Sequence, residues 1–261
     1  MSFLIGLAAG TFGGLVGLGG GVIMIPLMVG VLKLGQHKAH GTSLVALVFT
    51  GIMGSVTYAM KGEIDILASV LLASTAIFTT RAGVRFANAL PEWKLKRSFG
   101  AFLLLVTVLL LLKPYLPQVV DSSAGLTWIK ILVLLLTGAF TGFLSGMMGV
   151  GGGTIMVPAM VLLAGLTQHT AQGSSLLAMV PAGGVGAYTN WRLGNVNTAT
   201  LKWLVPGILI GTFAGGSLAQ LITENILRVI FAAVLVWTGA RYLRAEAPKP
   251  EHEKEERRNN N

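Results

Sequence analysis

The chain has 261 residues, of which 53% are hydrophobic and only 11% are charged, with a mean hydropathy of +0.74. A soluble domain carries about 25% charged residues, so this composition excludes an ordinary soluble domain. The complete absence of cysteine excludes disulfides, thiolate metal sites and cysteine nucleophiles. The net charge of +9 does not indicate a nucleic-acid partner. The basic residues fall in short loops and at the C-terminus, where the positive-inside rule and anionic lipid account for them.

Ten apolar segments follow one another, and several are long enough to cross a bilayer core of about 30 Å. In the first half we predict segments at residues 4–16, 22–32, 41–60, 64–89 and 95–112. In the second half we predict segments at residues 128–148, 154–166, 173–191, 199–222 and 226–243. The N-terminus lacks the basic region and cleavage site of a signal peptide, so the first segment is expected to stay in the membrane. The pattern predicts an all-α polytopic integral membrane protein with about 8 to 10 apolar segments.

One glycine-rich element occurs twice. Residues 17–26 read G-L-G-G-G-V-I-M-I-P and residues 149–158 read G-V-G-G-G-T-I-M-V-P, so Gly17 corresponds to Gly149. Three consecutive glycines predict a helix break, since glycine costs roughly 1 kcal/mol per residue against alanine inside a helix. Identities in the same ungapped register continue as far as Phe99 and Phe231. We therefore predict repeats at residues 1–115 and 127–245, a linker at 116–126 and a disordered charged tail at 246–261.

The loop charges favour two copies of opposite orientation. If each broken segment crossed the membrane once, the copies would be parallel and the basic loops would fall on both sides, against the positive-inside rule. If the chain turns back at the glycines, the copies are inverted. The basic residues then divide between a predicted cytoplasmic side, which also holds both termini (Lys33, Lys38, Arg85, Lys94, Lys96, Arg97, Arg192, Lys202, Arg241, Arg244), and the opposite side (Lys61, Lys113, Lys130, Arg228).

The predicted fold is therefore two inverted-topology repeats, each with a glycine-broken helical hairpin plus three membrane helices. The hairpins are either re-entrant or fully spanning. This design recurs in secondary transporters.

Each break exposes a helix N-terminus, with unpaired N–H groups and the positive end of the helix dipole. Two such N-termini related by a pseudo-two-fold axis are predicted to converge near the membrane midplane and to bind an anion. Close helix packing through small residues is the alternative. For the hydroxyl-bearing candidates, helix capping is the alternative. The predicted substrate-binding residues are Gly19, Gly20, Gly21, Thr42, Ser43, Gly151, Gly152, Gly153, Ser174 and Ser175.

Further polar residues near the breaks are candidates for gating or proton handling: His37, His40, His169, Gln172 and Arg81. A position at the water interface is the alternative for the histidines, and snorkelling beside Arg85 is the alternative for Arg81. Carboxylates are predicted only near segment ends, which disfavours a cation site. We find no metal-ligand spacing and no P-loop. A hydrolase built on Ser145, Ser174 or Ser175 is disfavoured, because nothing in the sequence brings a histidine to them. We therefore predict no metal, no cofactor and no enzymatic activity.

The duplicated glycine element resembles the sulfite exporter TauE/SafE family of membrane permeases. Each copy, at residues 17–26 and 149–158, is followed by an A-x-G-[TS]-S-L motif, at residues 39–44 and 171–176. The resemblance covers essentially residues 1–245. It implies a secondary transporter, an exporter by expectation, for a small sulfur-containing oxyanion such as sulfite or an organosulfonate, in the bacterial inner membrane. Thiosulfate chemistry that depends on cysteine is disfavoured by the absence of that residue.

The predicted partners are a small anion and the lipid bilayer, with a homodimer as an option and no nucleic acid. Two other functions stay open: a membrane scaffold or assembly protein whose glycines serve packing only, and a facilitator for another small anion. A cation channel is disfavoured by the lack of carboxylates inside the segments.

Overall fold

The computed structural model describes residues 1–86, 97, 100–101, 104–105, 107–108, 111–112, 128–149 and 151–244. Its helices in these ranges include α1 Ser2–Val16, α2 Gly21–Gly30, α3 Gln36–Ala59, α4 Ile66–Phe86, α5 Trp128–Met148, α6 Gly153–Leu162, α7 Gln168–Arg192, α8 Thr198–Ala219 and α9 Glu224–Leu243. The described ranges contain no strand, so the prediction of an all-α fold is confirmed. Half of the predicted segment at 95–112 lies outside the described residues. The linker at 116–126 and the tail at 246–261 lie wholly outside them.

Four of these helices are long and apolar enough to cross a membrane: the His37–Ala59 part of α3, then α4, α5 and α8. Three shorter helices, α1, α2 and α6, are also apolar. The two pairs of helices joined at the glycine elements, α1 with α2 and α5 with α6, therefore each combine apolar helices. These observations confirm a polytopic membrane protein.

The long central helices begin earlier than predicted. We predict starts at Gly41 and Gly173, whereas α3 begins at Gln36 and α7 at Gln168. The N-cap of α7 is Thr167, whose hydroxyl accepts the Thr170 N–H at 3.1 Å. The alternative that the predicted hydroxyl-bearing residues cap these helices is therefore wrong. All four lie inside their helices: Thr42, Ser43, Ser174 and Ser175.

Close helix packing joins each copy to the other. Helix α1 packs along α8, and α5 packs along α4, which is the equivalent pair with the roles of the two copies exchanged. A side chain at any of six glycines, spaced four residues apart, would collide with the backbone of the partner helix. Such small-residue spacing allows membrane helices to approach closely. These glycines are Gly6, Gly10 and Gly14 in α1, and Gly138, Gly142 and Gly146 in α5.

The equivalent helices α3 and α7 run antiparallel through the centre of the molecule. Gly41, near the start of α3, lies against Asn190 near the end of α7. In the matching contact, Gly173 near the start of α7 lies against Tyr58 near the end of α3. The start of each helix therefore meets the end of the other, which confirms the inverted topology of the two copies.

Candidate functional site

The chain reverses at both glycine elements through backbone conformations that favour glycine. Gly17, Gly19 and Gly20 have φ angles of 73°, 82° and 78°, and Gly149 and Gly151 have φ angles of 62° and 91°. Residues with a Cβ rarely adopt this left-handed region. The glycines are therefore needed for the reversal itself, and helix packing alone does not account for them.

The two breaks touch each other in the middle of the bundle. A side chain on Gly153 would meet the carbonyl oxygen of Gly17, and one on Gly151 would meet the carbonyl oxygen of Leu18. All six glycines of the two triplets are buried. The N-terminus of α6 therefore lies next to the turn that precedes α2, at a contact made of backbone against backbone.

Two adjoining cavities lie beside the second break, and we call them together the central cleft. Both are lined by Ser145 and Gly151; one also reaches Gly152, and the other reaches Thr141 and Thr154. They hold about 260 and 190 Å³ of space between atoms, open mouths included. Their interior has room for no more than roughly one water molecule, so the central cleft is closed in this structure.

Thr141 contributes a polar group that has no partner among the described residues. Its side chain is 1% exposed, and its hydroxyl makes no hydrogen bond to any of them. A side chain on Gly152 would collide with the Thr141 methyl group, so Thr141 lies directly against the break. An unsatisfied buried hydroxyl costs about 1–3 kcal/mol. A bound polar ligand would remove that cost.

Thr141 and Ser145 are absent from the predicted substrate-binding residues. They stand where the first copy has Ala9 and Gly13. A comparison of the two copies for positions at which a polar residue replaces a small apolar one would have found both.

The predicted hydroxyls of Ser43 and Ser175 hold the opposite copy's break. Ser43 donates to the carbonyl oxygen of Gly149 at 2.8 Å, and Ser175 donates to the carbonyl oxygen of Gly17 at 3.0 Å. Each hydroxyl also lies close to the carbonyl oxygen three residues earlier in its own helix, at 3.1 Å for Ser43 and 2.8 Å for Ser175. A hydroxyl has one proton to donate, so both protons are committed to backbone carbonyls here.

Thr42 and Ser174 hold the loop before the opposite copy's next long helix. The Asn197 N–H donates to the Thr42 hydroxyl at 2.9 Å, just before α8. The Asp65 N–H donates to the Ser174 hydroxyl at 2.8 Å, just before α4. These two bonds, like the two serine bonds, join equivalent positions of the repeat. Together the four side chains fasten each copy to the other.

His40 and Gln172 are equivalent residues, and each lies against the first glycine of the opposite break. A side chain added at Gly149 would collide with the His40 ring, and one added at Gly17 would collide with the Gln172 side chain. Gln172 is fully buried, whereas His40 is partly exposed. The structure therefore brings two of the predicted gating residues to the breaks.

The other predicted gating residues lie away from the breaks. His37 is exposed, and the His169 ring nitrogen Nε2 lies 3.1 Å from the Ala219 carbonyl oxygen. Arg81 is exposed on α4, one turn from Arg85. No cluster of three or more metal-ligating side chains occurs within the described residues.

Antiparallel, interlocked copies with two glycine-broken hairpins meeting inside a helical bundle define an inverted-repeat membrane transporter. The family model described as "Sulfite exporter TauE/SafE" matches residues 2–242, and the chain belongs to that family. It is 27% identical to "Probable membrane transporter protein YunE" of Bacillus subtilis (strain 168), over 93% of this chain and 98% of that protein. The family is described as one of exporters and this relative is named a probable membrane transporter, so the prediction that the chain is a transporter and not an enzyme is confirmed.

Two further relatives cover similar shares. A "Probable membrane transporter protein" of Xylella fastidiosa (strain Temecula1) is 28% identical, over 89% of this chain and 88% of its own length. "Probable membrane transporter protein MJ0441" of Methanocaldococcus jannaschii is 23% identical, over 89% of this chain and 90% of its own length. No solved structure matches the chain.

Proposed function

We propose that the chain exports a small sulfur-containing oxyanion, such as sulfite or an organosulfonate, across the bacterial inner membrane. The observation that carries the proposal is the central cleft, which is lined both by the N-terminus of α6 and by Thr141, whose buried hydroxyl has no partner within the described part of the chain. Both are groups that an anion would satisfy. The family description, which names sulfite, supports the choice of substrate class.

Backbone amides supply most of the proposed binding energy. The first N–H groups of a helix have no partner within the helix, and the helix dipole adds partial positive charge there. We assign the amides of residues 19–21 and 151–153 to the anion. The described residues that line the central cleft include no arginine or lysine. A site made of dipoles binds an anion weakly enough to release it, as transport requires.

Hydroxyl groups divide into two sets in this proposal. Thr141 and Ser145 line the central cleft, and each would donate to an oxygen of the anion. Thr42, Ser43, Ser174 and Ser175 keep the breaks in place through the bonds between copies. Because a sulfite or sulfonate group presents three oxygens, amides and hydroxyls from both sides of the cleft can contact it together.

Transport requires a conformational change, since the central cleft is too small for an anion in this structure. Inverted-repeat transporters alternate access by moving one set of helices against the other around a central site. Here the interface that would move is the one made by α3 and α7 with the breaks.

Contacts between helix ends support a common side for many basic residues. The start of α3 meets the end of α7, the loop before α8 and the end of α4. The residues Lys38, Arg85, Arg192 and Lys202 lie at those ends. We call this end of the molecule the basic face, and by the positive-inside rule we assign it to the cytoplasm. Helix α1 runs parallel to α8, which supports a cytoplasmic N-terminus.

Single-cysteine labelling tests this orientation directly, because the chain contains no cysteine. Lys33→Cys and Arg192→Cys should react with a membrane-impermeant thiol reagent only from the cytoplasmic side. Lys61→Cys should react only from the outside. Labelling of Lys33→Cys and Lys61→Cys from the same side would contradict the proposed topology.

Flux of sulfite in proteoliposomes tests the proposed function. We expect saturable sulfite flux, competition by methanesulfonate, and thermal stabilisation of the detergent-solubilised protein by sulfite, because a ligand that binds only the folded state raises its stability. A scaffold protein whose glycines only pack helices would show neither flux nor stabilisation, and that result would overturn the proposal.

A further inference from the structure

Tyr58 seals one end of the central helix pair. It is fully buried near the end of α3. Its hydroxyl lies 3.0 Å from the Gly14 carbonyl oxygen and 2.9 Å from Oε1 of Gln172. Since Gln172 lies against the first break at Gly17, the phenol ring closes the space between that break and this end of the molecule.

The equivalent place at the basic face holds a cavity instead of a large side chain, with room for roughly one water molecule in its interior. A cavity with about 290 Å³ of space between atoms, its mouth included, is lined there by His37, His40, Val84, Gly146, Asn190 and Asn195. Asn190 stands at the position equivalent to Tyr58, and its amide donates to the Gly186 carbonyl of its own helix at 3.1 Å. A shorter side chain bonded to its own helix leaves unfilled the space that the phenol ring occupies on the other side.

The match between the two ends extends to their other residues. In the register that pairs Gly17 with Gly149, His40 corresponds to Gln172, Gly146 to Gly14 and Asn195 to Glu63. Contacts confirm the equivalence, since Gly41 meets Asn190 and Asn195 as Gly173 meets Tyr58 and Glu63. The cavity and the sealed end are thus equivalent places in the two copies, and they differ in having asparagine at the cavity and tyrosine at the sealed end.

We propose that the cavity at Asn190 is the aqueous vestibule through which a small oxyanion passes between the basic face and the glycine breaks, and that Tyr58 closes the equivalent route on the opposite side. This inference rests on the proposed function for the identity of the anion. The His40 ring lies against Gly149, so the vestibule ends at the first glycine of the second break. Ser145, which lines the central cleft, is adjacent in α5 to Gly146, which lines the vestibule.

The chemistry of the vestibule suits an oxyanion. Two imidazole and two carboxamide side chains, which are neutral and carry N–H groups, are among the residues that line its wall. No carboxylate is among the described residues that line it. The basic side chains of Lys38, Arg85 and Arg192 are exposed at the same end of the molecule. A cleft surrounded by positive charge concentrates anions near its mouth.

Matched single-cysteine variants test the vestibule without any transport measurement. His40→Cys and Gln172→Cys occupy equivalent positions in an otherwise cysteine-free chain. Because a thiol must be reached by water and reagent to react, we expect a small negatively charged thiol reagent to label His40→Cys faster than Gln172→Cys by about tenfold or more. Val84→Cys gives a second measurement on the vestibule side in case the first variant folds poorly.

Exchanging the residues at positions 58 and 190 should reverse the difference in labelling rate. Adding Tyr58→Asn to Gln172→Cys should raise its labelling rate toward that of His40→Cys. Adding Asn190→Tyr to His40→Cys, or to Val84→Cys, should lower the rate. Size-exclusion profiles in detergent select the folded variants for comparison. Equal labelling of the two parent variants, or no effect of Tyr58→Asn on Gln172→Cys, would overturn the proposal.

These outcomes are separate from those of the proposed function. A protein that shows the expected labelling but no sulfite flux has the vestibule without the proposed substrate. A protein that transports sulfite but labels equally at both positions has the proposed function without this vestibule.

Discussion

The two copies of the repeat make the same hydrogen bonds to each other but differ at residues that line the central cleft and the vestibule. Ser43 and Ser175 make the same bond to the opposite break. In contrast, Ala9 of the first copy corresponds to Thr141, and Tyr58 corresponds to Asn190. The shared residues build the interlocked scaffold. These two differences sit at the central cleft and at the vestibule, which is where we expect substrate selection and access to be determined.

The largest expected effect comes from the first break. Gly20 has a φ of 78°, and a side chain there would collide with the Ala9 carbonyl oxygen, whereas the equivalent Gly152 has a φ of −77° and would meet only side chains. Gly20→Leu should abolish sulfite flux. Gly20→Ala should destabilise the protein by at least about 1–2 kcal/mol, the cost of a left-handed residue with a Cβ. Gly152→Ala should destabilise it less.

Thermal unfolding in detergent, together with flux in proteoliposomes, measures these differences. Wild-type flux in a correctly inserted Gly20→Leu protein would contradict the assignment of the first break to the transport site. Equal losses of stability in the two alanine variants would show that the difference in backbone conformation between the copies has no energetic consequence.

An intermediate and equal effect is expected from the serines that hold the breaks. Ser43→Ala and Ser175→Ala each leave a buried carbonyl without its side-chain partner from the other copy, which costs about 1–3 kcal/mol. Ser74→Ala is the control, because the exposed Ser74 hydroxyl bonds to the Leu71 carbonyl within its own helix. Denaturation midpoints of the three variants test this. A loss in only one of the two break serines would show that the scaffold is not symmetric.

The smallest effect is expected at Arg81. Its side chain is exposed on α4, and its equivalent in the second copy is Phe213. Substitutions at exposed positions without specific contacts usually change stability by about 0.5 kcal/mol or less. Arg81→Gln should therefore leave sulfite flux close to that of the wild type. A loss of flux greater than about tenfold, which corresponds to about 1.4 kcal/mol in the activation free energy of transport, would place Arg81 in the transport pathway.

The sequence predicts the scaffold well, because repeated glycines and loop charge both report on backbone path. The predicted segment at 128–148 has the bounds of α5, and the inverted topology follows from the basic loops. The starts of α3 and α7 are predicted too late, since glycine usually ends a helical pattern. Here Gly41 and Gly173 lie inside their helices, where the missing Cβ admits the loop of the other copy.

The site itself could be predicted only in part. The glycine triplets are visible in the sequence, because they repeat. Thr141 and Ser145 do not repeat, so a search for identities between the copies misses them, and only a comparison of the positions that differ would find them. The bonds from Ser43 and Ser175 cross between copies, and no local pattern reveals such a partner. The role of a hydroxyl depends on which group it meets after folding, and residue type and spacing do not determine that.

The most direct test of the anion site is the comparison of Thr141→Val with Thr212→Val. Both threonines are buried, and both hydroxyls lack a partner among the described residues, but only Thr141 lines the central cleft. Because valine removes an unsatisfied hydroxyl and keeps the shape, neither change should lower thermal stability.

We expect Thr141→Val to weaken sulfite binding, measured as ligand-induced thermal stabilisation, by roughly tenfold, the loss of one hydrogen bond to a charged group of about 1.5 kcal/mol or more. Thr212→Val should bind sulfite as the wild type does. Equal sulfite affinity in the wild type and both variants would contradict the assignment of the anion to the central cleft.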